Sequence, residues 1–101
     1  MSSSKLVRDK IPEIIKNDGR TPIVHIATEQ EYDEALVEKL HEEVNEFLIN
    51  PCVEEAADIL EVLKAICYRH GVSLDLLEQE CLSKAAKRGA FLQKIILDRV
   101  D

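Results

Sequence analysis

Turn formers and aromatic side chains are scarce in this chain. In 101 residues there are three glycines, three prolines, two tyrosines, two phenylalanines and no tryptophan. A many-stranded sandwich or barrel needs frequent turn signals, so the shortage favours helices. No apolar run approaches the roughly 20 residues of a membrane span. The opening "MSSSK" has no apolar stretch behind it, so no secretory leader is expected and residues 1–4 should fray. The cysteines Cys52, Cys67 and Cys81 are odd in number and form no C-x-x-C. That argues against a disulfide framework and for a reducing, cytoplasmic setting, with each thiol acting as a small buried hydrophobe.

Positive charge is nearly missing from the middle. Between Glu29 and Glu61 there are twelve acidic residues and one lysine, Lys39, within a chain of net charge −7. An acidic centre repels nucleic acid, so a DNA- or RNA-binding module is not expected. The cations gather at the ends: Lys5, Arg8 and Lys10, then Lys84, Lys87, Arg88, Lys94 and Arg99. Such a distribution suits metal ions at the centre and phosphates held by the flanks. With 46% hydrophobic and 33% charged residues, the composition is that of a single soluble globular domain over residues 1–101.

The chain reads as a mainly α bundle of about four helices, judged by apolar periodicity and capping signals. "LVRDKIPEIIKNDG" forms a short first helix, delayed by Pro12 and ended by Gly19. Thr28, with Glu31 three residues on, is a capping box that opens a second helix running to about Ile49. Asn50 and Pro51 should start a third, as N-cap and first helical residue, which ends near His70 before Gly71. Ser73 or Asp75 caps a fourth, ending near Arg88. "TPIVHIA" and "FLQKIILDRV" are β-branched and apolar, and are expected to pair as a small accessory two-stranded sheet.

Glu normally lies on the wet face of a helix, so the direction of the central carboxylates matters. At 100° per residue, Leu36, Leu40, Val44 and Phe47 share one apolar arc, and Glu43 falls inside it, roughly 20° from Leu36. Glu46 lies at the edge of the arc and Glu42 towards the polar side. On the next helix Glu55 falls between Val62 and Ile66, and Asp58 between Val62 and Ala65. Each i,i+3 pair shares a face. In a tight antiparallel hairpin both pairs stand about one turn from the bend, across an interaxial distance of roughly 8–10 Å. Four converging carboxylates would repel one another unless a hard cation compensates them, and oxygen-only ligands suit Mg²⁺ or Mn²⁺. The ordinary alternative is a solvated acidic face, on which such spacings are common.

"EEVNE" followed by "EEAAD" resembles the E-E-x-x-E … E-x-x-D signature of the MazG-like, all-α nucleotide pyrophosphohydrolase superfamily. The opening "KLVRDKIPEII" and the closing "KRGAFLQKIIL" look like its phosphoribosyl-ATP pyrophosphohydrolase-like branch, so the resemblance covers nearly the whole chain. It implies metal ligands at Glu43, Glu46, Glu55 and Asp58, with Glu42 orienting water or a second metal. It implies Mg²⁺-dependent hydrolysis of a nucleoside triphosphate to monophosphate and pyrophosphate, within a homodimer or homotetramer. Phosphates would be held by Lys84, Lys87 and Arg88, with Lys5, Arg8 and Lys10 next in line. Eight residues separate Glu46 from Glu55. The superfamily's spacer is usually longer, which leaves the nucleotide itself open.

Two other metal chemistries fit poorly. A di-iron carboxylate bundle needs two Glu-x-x-His motifs, and only Glu38 with His41 qualifies. Cys67 with His70 is too little for zinc. A non-catalytic acidic interaction module, or an inactive relative, stands as the second reading.

Overall fold

The computed structural model describes residues 4–101. Four helices follow one another: α1 Ile11–Asn17, α2 Glu29–Ile49, α3 Val53–Arg69 and α4 Leu74–Arg88. The protein is therefore mainly α, as the scarcity of turn formers indicates. Fraying expected at residues 1–4 lies outside the described residues, except at Ser4, which is exposed and without regular structure.

The capping signals set most boundaries. Pro12 sits in the first turn of α1, where its missing N–H costs no helical bond. Thr28 Oγ1 accepts a 3.2 Å hydrogen bond from Glu31 N, and Ser73 Oγ accepts one of 3.2 Å from Leu76 N. Each such cap satisfies an orphan donor and stabilises its helix by about 1 kcal/mol. The Glu31 carboxylate meets His25 Nε2 at 2.9 Å. Gly71, at φ 75°, lets α3 close with Val72 N donating to Cys67 O at 2.8 Å.

Three expectations are corrected. Asn50 closes α2, donating its N–H to Glu46 O at 3.0 Å, and does not open α3. The first bond of α3 goes from Ala56 N to Cys52 O. The hairpin turn is thus longer than a cap followed by Pro51 would make it. Second, the accessory sheet is not formed: among the described residues there is no strand. "TPIVHIA" is irregular and leaves Ile23 and Ile26 exposed, and Phe91 to Leu97 likewise lack a strand partner. β-Propensity records fit to a half-buried pleated surface, and a lone two-stranded ribbon is marginal in water. Third, Cys52 and Cys67 are half-buried, but Cys81 is exposed on α4.

Contacts group the chain into two compact units, one ending at Ile66 and the other covering Cys67–Asp101. The first holds the α2–α3 hairpin. Its interior is small: among the described residues only Leu36 and Glu43 are buried. They are seven residues apart on α2, about two helical turns, so they lie on one face. No helix among the described residues is long and apolar enough to cross a membrane.

Candidate metal centre

The buried residue next to the core leucine is a carboxylate. Glu43 retains 6% of its surface, as its place on the apolar arc requires. Its Oε1 lies 3.4 Å from Lys39 Nζ, one turn upstream on α2. Its Oε2 is buried and accepts no hydrogen bond among the described residues, and Glu55 Oε2 on α3 is in the same condition. Unsatisfied buried carboxylate oxygens are costly, and a native fold that keeps two needs a reason.

Neighbouring carboxylates add to the cost. Ligand oxygens of Glu43, Glu55 and Asp58 lie within 4.8 Å of one another, and so do those of Glu42, Glu43 and Glu46. The two triads share Glu43. The sequence expectation of one convergent group of four is therefore refined: Glu46, which is exposed, sits with Glu42, while Glu55 and Asp58, which are half-buried, face Glu43 from α3. Glu42 joins the cluster despite its place towards the polar side of the wheel.

Burial, before any other cause, pushes the Glu43 carboxyl above its ordinary value. The charges of Glu46 and Asp58 act in the same direction, against the hydrogen bond and the charge of Lys39, which lower it. Placing a positive charge at Glu43 would reverse the main effect. The donor set is all oxygen, which fits a hard divalent cation and gives a thiophilic metal nothing to hold.

Arg8 reaches the site from the other end of the sequence. Its Nη2 lies 2.6 Å from Asp58 Oδ1, across 50 positions of chain. A cavity of about 450 Å³ opens here, lined by Arg8, Lys10, Tyr32, Leu36, Lys39, Glu43, Asp58 and Glu61 among others. That volume falls in the range of small-molecule sites. Of the phosphate candidates, Arg8 and Lys10 line the cavity and Lys5 does not. Lys84, Lys87 and Arg88 lie on the last turns of α4, in the second unit.

Sequence reasoning missed Lys39 as a partner of the cluster, although it stands at the i,i+4 spacing from Glu43 that signals such a contact. It missed Tyr32 and Glu61 as lining residues too, and no spacing rule singles them out.

No protein-family model matches the chain, and no solved structure does. Over 43 residues the chain is 51% identical to an uncharacterized protein of Mycolicibacterium smegmatis. That segment is 43% of this chain and 44% of the other, so the match spans under half the length of this curated relative.

Proposed function

We propose that this chain is a metal-dependent nucleotide pyrophosphohydrolase of MazG-like type, cleaving a nucleoside triphosphate to the monophosphate and pyrophosphate. One observation carries the reading: Glu43 is buried with an unpartnered oxygen where two carboxylate triads meet. The signature "EEVNE" … "EEAAD" supports it, with the small-molecule-sized cavity beside Glu43 and Asp58. Glu43, Glu46, Glu55 and Asp58 would hold Mg²⁺ or Mn²⁺, with Glu42 completing the second triad. A bound divalent ion supplies neutralisation of phosphate charge and a lowered pKa for attacking water. The chain's own residues do the rest. Arg8 and Lys10 offer donors to phosphate oxygens inside the cavity. A carboxylate that is not coordinating accepts the proton of the attacking water. Tyr32 and the apolar wall formed by Leu36, Val62 and Ala65 confine the nucleotide.

The test is a panel of standard and damaged nucleotides scored for pyrophosphate release with and without Mg²⁺ or Mn²⁺. Metal-dependent release from at least one nucleotide is expected. Its absence across the panel, with the protein folded, sinks the enzymatic reading. A non-catalytic interaction module is favoured by one specific feature: Arg8 and Lys39 already neutralise part of the cluster. It leaves the two orphan oxygens without an account.

Oligomerisation belongs to the same proposal. On α3, Leu60 is exposed and Leu63, Ile66 and Cys67 are half-buried. Copies of this chain, in a cytoplasmic homodimer or homotetramer, would cover such surface. Light scattering behind size exclusion is expected to give a mass of two or four chains. A single-chain mass at micromolar concentration refutes the assembly.

A further inference from the structure

Among the described residues two cations, Arg8 and Lys39, touch the carboxylate cluster, and they are held very differently. Lys39 projects from the middle of the 21-residue helix α2, with a side chain only 17% exposed. It is fixed by the same helix that carries Glu42 and Glu43. Arg8 has a side chain 56% exposed and belongs to residues 4–8, which have no regular secondary structure. Among the described residues its guanidinium meets Asp58 at 2.6 Å. Lys39 is a mostly buried side chain on a helical backbone, whereas Arg8 is an exposed one on a segment that no helix holds, so side chain and segment can leave Asp58 together.

Asp58 is asked to serve two cations. Its carboxylate oxygen lies within 4.8 Å of ligand oxygens of Glu43 and Glu55, so an ion held by that triad stands next to the guanidinium. Both draw on one carboxylate, and like charges at that separation repel. Arg8 also does not satisfy the cluster, since Glu43 Oε2 and Glu55 Oε2 stay unpartnered beside it.

We propose that Arg8 and a divalent cation are alternative partners of Asp58: metal binding expels Arg8, which then turns to phosphate oxygens in the cavity it lines. The inference rests on the metal-centre reading and adds an exchange to it. A planar, permanently charged guanidinium suits both ends of the exchange, because carboxylate and phosphate offer it the same paired oxygens. The pair makes metal and substrate sites interdependent: the ion that organises the carboxylates also frees a phosphate ligand. Lys39 has no part in the exchange and keeps holding Glu42 and Glu43.

The test is a calorimetric Mn²⁺ titration of the full chain and of Arg8→Gln, with amide hydrogen exchange of residues 4–10 followed in the wild type. Arg8→Gln should bind Mn²⁺ about two- to fivefold tighter, the factor set by losing a partly exposed competing ion pair. Saturating Mn²⁺ should speed exchange across residues 4–10 in the wild type, a readout that needs no variant. If the wild type binds Mn²⁺ but Arg8→Gln binds it no tighter, or exchange is unmoved, the competition is overturned and the metal centre survives. If neither protein binds Mn²⁺, the metal reading itself is overturned, and the exchange with it.

Discussion

Glu43→Ala is expected to fold, to keep its helical circular dichroism, and to lose pyrophosphate release by at least about 100-fold, a conservative figure for removing a metal ligand when outer-shell partners alone cost 10–100-fold. Glu43 is the only carboxylate common to both triads, so its removal damages each of them. Folding should not suffer, because the side chain's contribution to stability is largely unfavourable. Its Oε2 is buried without a partner, and an unsatisfied buried polar group costs about 1–3 kcal/mol. Lys39 is not orphaned by the change, since it also lies 3.5 Å from Glu42 Oε1. The metal-free variant should therefore melt no lower than the wild type. Asp58→Ala should likewise abolish turnover with helices intact, while also freeing Arg8. Wild-type rates in either variant would show the ligand assignment to be wrong.

Millimolar Mg²⁺ or Mn²⁺ is expected to raise the melting temperature of the wild type and to leave that of Glu43→Ala unmoved. A ligand present at about 100 times its Kd stabilises the folded state by about 2.7 kcal/mol. At roughly 4–8 °C per kcal/mol for a domain of this size, that is an increase of roughly 10–20 °C. The effect should depend on pH in a defined direction. Burial raises the folded-state pKa of Glu43, so the metal-free fold retains a proton that the unfolded chain has already released. Metal-free stability therefore falls as pH rises from the ordinary carboxyl range through the raised value. Metal competes with that same proton, so the metal-induced increase should be largest above this window and vanish below it. An unmoved melting temperature at neutral pH favours the interaction-module reading.

What was legible in the sequence follows from the range over which each signal acts. Glu43 could be placed inside from Leu36 alone, because seven residues nearly close two helical turns and the helix is rigid over that span. Thr28, Ser73, Gly19 and Gly71 act on donors and acceptors within four residues, and their predicted roles match the structure. The turn at Asn50 was misread because Asn can close one helix as readily as open the next; Cys52 settled the competition by taking the first bond of α3. The two strand-like segments were misread because apolar, β-branched composition reports a wish for burial and not a partner. The Arg8–Asp58 contact was out of reach, since no periodicity links positions 50 apart.

The exposed stretch from Phe91 to Leu97 bears on how the protein behaves in a crowded solution. Phe91, Leu92, Ile95, Ile96 and Leu97 are all more than three-quarters exposed, in a proline-free stretch whose composition is that of self-stacking, amyloid-prone peptides. Lys94, Asp98 and Arg99 interrupt or flank it, and charges so placed act as gatekeepers against such stacking. Copies of this segment are thereby penalised for stacking in register, and the penalty weakens as ionic strength rises, because salt screens the very charges that hold identical segments apart.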